Sequence, residues 1–138
     1  MNKDIKIAKE TVKTEIKALK KLSSSFNQSS QFSKAVSLIS KTKGKCLVIG
    51  VGKSFICGLN ISATLSSLGT PSVAFSANDL QHGGLGAIQK NQDVMLAFSV
   101  SGESAELNNI IRYANRFDIP VIGVSCKASS MLLRFSSI

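Results

Sequence analysis

The chain of 138 residues is 43% hydrophobic and 18% charged, a balance that suits one globular domain with a modest core and excludes a disordered polymer. Its formal charge of +9 is unevenly placed: residues 1–53 hold twelve Lys against three acidic residues, whereas residues 54–138 hold five basic against five acidic. Lysines repeated along one leading segment without interleaved aromatic rings form a solvated face, so the basicity predicts no nucleic-acid partner.

No apolar run approaches the roughly 20 residues of a membrane span. The opening Met1-Asn2-Lys3-Asp4-Ile5 has no apolar signal core. We therefore expect no membrane partner and a cytoplasmic address. The cysteines, Cys46, Cys57 and Cys126, are odd in number, widely spaced and set among apolar neighbours, which predicts buried free thiols.

Ile5, Ala8, Val12, Ile16 and Leu19 recur at steps of three or four over residues 3–22, the period of an amphipathic helix. A Ser/Gln-rich break from Ser23 to Ser30 precedes a second helix with Phe32, Val36 and Ile39 on one face, ending at Gly44. The run from Lys45 to Gly50 reads as a buried strand, and a helix follows from about Lys53 to Leu68, stopped by Gly69-Thr70-Pro71. Val73–Phe75 is then a short strand, Asn78 to Ala87 a Gly-rich loop, and Asp93–Phe98 a third strand. Ala105–Phe117 is a helix, Pro120–Ser125 a fourth strand, and Met131–Phe135 a short helix capped by Ser129 or Ser130.

Strands alternating with helices predict an α/β fold: a three-layer αβα sandwich around a doubly wound parallel sheet, with helices leading it. The division expected is a helical segment over 1–43 and a sheet domain over 44–138. In such sheets ligands bind beyond the carboxyl ends of the strands, which directs attention to the loops after Ile49, Phe75, Phe98 and Ser125.

Gly50-Val51-Gly52-Lys53-Ser54 opens a helix directly after the first strand. It is not a phosphate-binding P-loop, because Leu47 occupies the place of that motif's first glycine, and Phe55 replaces the third glycine of a dinucleotide fingerprint. What remains is a tight turn into a helix N-terminus, with Gly52, Lys53 and Ser54 positioned for an anion; the alternative is an ordinary β–α turn with a solvated lysine. Ser99-Val100-Ser101-Gly102-Glu103-Ser104 repeats the arrangement after the third strand, with three hydroxyls and a glycine before a helix. There, helix capping by Ser101 or Ser104 is the competing account. His82 lies in a Gly-rich loop, and as the sole histidine it leaves no ligand set for zinc.

Gly50-x-Gly-Lys-Ser54, Ala63-Thr-Leu-x-Ser-x-Gly-Thr-Pro71, His82-Gly-x-Leu-Gly86 and Ser99-x-Ser-Gly-Glu-Ser-x-Glu-Leu107 match, in order and spacing, the SIS (sugar isomerase) domain of arabinose-5-phosphate isomerases. The chain resembles that family from about Lys9 to Met131. The resemblance implies a flavodoxin-like SIS fold, a phosphorylated pentose as ligand, no cofactor, and assembly into a homo-oligomer. It implies conversion of ribulose 5-phosphate to arabinose 5-phosphate, which supplies the octulosonate sugar of lipopolysaccharide. By the same resemblance Lys53, His82 and Glu106 are the catalytic positions. Ser99, Ser101, Gly102, Glu103 and Ser104 form the phosphate turn, joined by Gly52 and Ser54. The chemistry moves a proton between adjacent carbons through an enediolate, which suits a fixed cation with two proton carriers; Glu103 is the alternative acid.

The chain departs from the family pattern at Gly84, where Asp is common, and at Leu59 and Asn60, where basic residues are common. The family's domain continues past the equivalent of Ile138 with a fifth strand, a Lys-Glu loop, a long helix and a His-Pro-Gly-Gly segment, so an incomplete domain is expected. Two functions therefore stand: an isomerase of this type, or a sugar-phosphate-binding module without turnover. A transcription regulator is disfavoured by the lack of a helix-turn-helix pattern in the leading segment.

Overall fold

The computed structural model describes residues 2–26 and 30–138, and the chain divides into two compact units, 1–34 and 35–138. In the first unit, α1 (Lys3–Phe26) begins where the Asn2 side-chain oxygen accepts a hydrogen bond from the Asp4 N–H at 3.1 Å. It runs past residue 22, where a break was expected, and there the Ser24 and Ser25 hydroxyls donate to carbonyls of their own helix, those of Lys20 and Leu22. Residues 27–29 of the expected break lie outside the described residues. No residue of α1 is buried. Among the described residues no helix is long and apolar enough to cross a membrane.

α2 (Ser30–Ser40) leads into the second unit. The face it turns to the core carries Ala35, Leu38 and Ile39, while Phe32 and Val36 are exposed. The expected stripe of Phe32, Val36 and Ile39 is therefore rotated, because 35, 38 and 39 form the helical row nearest the sheet.

The elements that follow are β1 (Cys46–Gly50), α3 (Lys53–Ser67), β2 (Ser72–Ser76), α4 (Ala77–Gln81), β3 (Val94–Ser99), α5 (Ala105–Arg116), β4 (Val121–Ser125) and α6 (Met131–Phe135). Of the span read as a loop, Asn78 to Ala87, residues 78–81 belong to α4 and Gly84–Ala87 form a 3₁₀ turn. Burial explains the difference: Ala77 and Leu80 are wholly buried and Leu85 packs beside them, so apolar anchors fold a glycine-rich stretch onto the core.

Among the described residues the strands form one parallel sheet in the order β2-β1-β3-β4. β1 is buried throughout and β3 almost throughout, as strands covered on both faces must be. On one face Leu47, Ile49, Met95, Ala97 and Val121 pack against α4, α5 and α6. On the other, Cys46, Val48, Val94, Leu96 and Ile122 pack against α2 and α3. This is the three-layer α/β sandwich with leading helices that the alternation of elements predicts. Cys46 fits the expectation of a buried thiol, but Cys57 and Cys126 are exposed, because both lie at the rim where helix and strand ends meet solvent.

The amino end of the sheet is locked by Asp93, which is 2% exposed. Its carboxylate accepts hydrogen bonds from the Lys45 N–H at 2.9 Å, the Lys45 ammonium at 2.9 Å and the Gln89 N–H at 2.8 Å. Burial pushes this carboxyl up, but the hydrogen bonds from Gln89 and Lys45 and the Lys45 charge outweigh it and hold the group below its ordinary range. A depressed carboxyl stabilises the fold above its unfolded value of about 4, and that contribution is lost as pH falls through the folded value. Asp93→Asn is expected to cost about 3 kcal/mol at neutral pH. Urea melts of the variant should lose the Asp93 part of the decline in stability below about pH 4.

Candidate functional site

The strand order reverses between β1 and β3: the chain leaves β1 toward β2 on one side and later returns to β3 on the other. α3 departs over one face of the sheet and α5 over the other. The turns after β1 and β3 therefore part above adjacent strands and leave a crevice at the carboxyl edge.

The first turn is shaped by its glycines. A β-carbon on Gly50 would lie 2.7 Å from the Phe55 nitrogen, so only glycine permits the chain to double back so closely. Gly52 has φ +54° and occupies the N-cap of α3, which gives the helix no side-chain cap. The first N–H groups and the positive end of α3 are thereby left without a capping side chain beside the crevice. Lys53 begins the helix, is exposed, and has no ion-pair partner among the described residues.

In the second turn Ser99 is buried, and its hydroxyl oxygen accepts the Gly102 N–H at 2.9 Å and lies 3.4 Å from the Ser104 hydroxyl. Gly102 has φ +67°, and a β-carbon there would overlap Ser130 and come within 2.9 Å of the Ser125 hydroxyl oxygen. The turn is anchored further by the Leu132 N–H donating to the Gly102 carbonyl at 3.0 Å. Ser104 stands at the N-cap of α5 but makes no side-chain cap bond, while the Ser101 hydroxyl oxygen accepts the Glu103 N–H at 3.3 Å. Neither serine caps α5 in the manner of the competing account. Glu103 forms an ion pair with Lys127 at 3.0 Å.

Lys53, Ser54 and Cys57 of α3, Phe98, Ser99 and Val100 at the end of β3, and Val124, Ser125 and Cys126 at the end of β4 line a cavity of about 280 Å³. Three of the residues predicted for the site thus meet in one cavity. Ser101, Gly102, Glu103 and Ser104 form the adjoining turn without lining it. His82 follows α4, is exposed, and sits apart from this wall, as does Glu106 in the first turn of α5. Those two segments are tied together, since the Gln81 side-chain amide donates to the Glu106 carbonyl at 2.7 Å.

The contribution of β4 was not foreseen beyond its terminal loop. Ser125 and Cys126 carry no motif, and only the parallel pairing of Ser99 with Ser125 places them beside the serine turn. Among the described residues no group of three or more His, Cys, Asp or Glu is placed to hold a metal ion.

A parallel sheet with an order switch at β1 and β3, and glycine–hydroxyl turns beyond both strands, defines a doubly wound α/β domain. The SIS domain family profile matches residues 38–138, and the chain belongs to that family. It is 35% identical over 141 residues to arabinose 5-phosphate isomerase KdsD of Francisella tularensis, an alignment covering 100% of this chain and 42% of the relative. It is 35% identical over 130 residues to the KdsD isomerase of Escherichia coli K12, covering 94% of this chain and 39% of the relative. The chain thus spans about two fifths of the length of these curated relatives. An Escherichia coli CFT073 protein solved in complex with a sugar phosphate superposes with a TM-score of 0.88 at 30% identity, covering 100% of this chain and 73% of that one. The Vibrio vulnificus NanR protein complexed with ManNAc-6P shares the fold at 24% identity, with a TM-score of 0.69 over 78% of this chain and 40% of that one.

The serine turn depends on its own hydrogen bonds. Ser99→Ala leaves the buried Gly102 N–H without its acceptor and should cost about 1–3 kcal/mol in chemical denaturation. Gly102→Ala adds a left-handed penalty of about 1–2 kcal/mol to the overlap with Ser130, so it should be the more destabilising of the two.

Proposed function

We infer that residues 44–138 bind a phosphorylated pentose at the crevice, and that the activity is that of an arabinose-5-phosphate isomerase, interconverting ribulose 5-phosphate and arabinose 5-phosphate for the octulosonate of lipopolysaccharide. The observation that carries this reading is the convergence of Lys53, Ser54 and Ser99 on one cavity at the order switch, flanked by helix N-termini that lack side-chain caps. The family membership and the KdsD likeness support the same chemistry.

In this reading the phosphate lies against the Ser99–Ser104 turn, where the hydroxyls of Ser99, Ser101 and Ser104 and the backbone around Gly102 and Glu103 surround it; Gly52 and Ser54 close the opposite side. Lys53 is the fixed cation for the enediolate oxygen, and its lack of an ion-pair partner among the described residues leaves that charge available. His82 and Glu106 carry the proton between the two carbons. Glu106 suits this role better than Glu103, whose carboxylate is engaged by Lys127. No cofactor is required, since the reaction is a proton transfer within one substrate.

One observation favours a second reading, binding without turnover: His82 and Glu106 do not line the cavity that Lys53 lines. A coupled assay for arabinose 5-phosphate conversion separates the two. Turnover abolished by Lys53→Ala supports the isomerase, whereas ligand binding with no turnover supports the binding module. Calorimetry should detect ribulose 5-phosphate but not ribulose, and Ser101→Ala or Ser104→Ala should weaken that binding by about 1–3 kcal/mol. Equal affinity with and without the phosphate would remove the anion site.

We also propose a homo-oligomer assembled through α1. Ile5, Val12, Ile16 and Leu19 are each about half exposed or more along one helix, an apolar stripe that a second copy of the same helix would cover. Light scattering should show an oligomer at micromolar concentration, and Ile16→Glu should dissociate it.

A further inference from the structure

Cys57 and Cys126 are both exposed, one on α3 and the other just beyond β4, and line one cavity together with Lys53, Ser54 and Ser99. Cys57 lies four residues beyond Lys53 on α3, so thiol and ammonium stand on the same side of the helix. Cys126 directly follows β4 and is fixed to the serine turn: its N–H donates to the Val100 carbonyl at 3.1 Å, and the Ser125 hydroxyl donates to the same oxygen at 3.2 Å. The remaining cysteine differs in kind. Cys46 is wholly buried in β1, and burial pushes its thiol up to about 11, which leaves it inert near neutral pH.

We propose that Cys57 and Cys126 form a modification site within the cavity, at which an anionic small-molecule disulfide of the glutathione-disulfide class attaches one half of itself and excludes the sugar phosphate. Lys53 and the N-terminus of α3 draw such a reagent in, as they would a phosphate. The thiolate of either cysteine attacks one sulfur of the reagent. The protein–reagent S–S bond forms as the reagent's own S–S bond breaks, and the departing thiolate takes up the proton that the cysteine released. The cysteine sulfur is oxidised and the departing half reduced, so the reagent is the only oxidant. At about 280 Å³ the cavity has room for one small ligand, and a tripeptide-sized group on either thiol fills the space the other faces. The inference rests on the proposed function in one respect, the identity of the ligand excluded.

The test treats the full chain with glutathione disulfide and maps adducts by mass spectrometry in wild type, Cys57→Ser, Cys126→Ser and the double variant, with Cys→Ala replacements should a serine variant fail to fold. Adducts are expected at Cys57 or Cys126 and not at Cys46, with the first adduct slowing the second. Lys53→Ala should slow the anionic reagent by about tenfold while leaving a neutral pyridyl disulfide unaffected. Ribulose 5-phosphate at about ten times its Kd should slow thiolation by about tenfold. Binding of the sugar phosphate should vanish on thiolation, return with reductant, and persist in the treated double variant. Independent reaction of the two thiols without regard to Lys53, or unchanged sugar-phosphate binding after thiolation, overturns the proposal. Failure of the unmodified protein to bind ribulose 5-phosphate instead removes the proposed function, and the order of adduct formation and the Lys53 dependence then decide the thiol site by themselves.

Discussion

The structure depends on the pairing of β1 with β3. Both strands have parallel neighbours on either side and helices on either face, so their backbone groups are satisfied within the sheet and their side chains are apolar. Polar groups have no place along such strands. They gather where the strands stop, and because the chain diverges from β1 and β3 to opposite faces, the two departing turns leave a crevice between them. The position of the crevice is a consequence of that divergence.

The crevice is kept in shape by close packing around Gly102. Ser99 holds its N–H, Leu132 donates to its carbonyl, and Ser130 and Ser125 fill the space a side chain would need. Ser130 in turn caps α6, its hydroxyl oxygen accepting the Leu133 N–H at 3.4 Å. The serine turn, the end of β4 and the start of α6 are therefore one packed unit. Hydroxyls that resemble a row of ligand donors divide their work: Ser99 is structural as well as site-facing, while Ser104 leaves the helix uncapped and stays beside the crevice.

The two ends of the sheet carry different tasks. At the amino edge the buried Asp93 carboxylate binds Lys45 and the Gln89 backbone, and its value is to the fold. At the carboxyl edge Lys53 has no carboxylate partner among the described residues, which costs stability nothing at an exposed position. The thiols follow the same division. Cys46 lies in the core of β1, and Cys57 and Cys126 are exposed and line the cavity beside Lys53 at the carboxyl edge.

The sequence by itself determined the α/β class, the alternation of elements and the turns at Gly50–Ser54 and Ser99–Ser104. Each of these follows from local rules: apolar runs closed by glycine, hydroxyls before helices, and helical periodicity. Local rules also misled where burial intervened. Ala77 and Leu80 drew part of a glycine-rich loop into α4, and the sheet selected Ala35, Leu38 and Ile39 of α2 over Phe32 and Val36. Only the tertiary structure decided which distant residues share the cavity. Ser125 and Cys126 come beside Ser99 through parallel strand pairing, whereas His82 and Glu106 lie off the wall that Lys53 occupies. The physical reason is that strand order is set by burial summed over the whole sheet, and no short stretch of chain records which strand will become its neighbour.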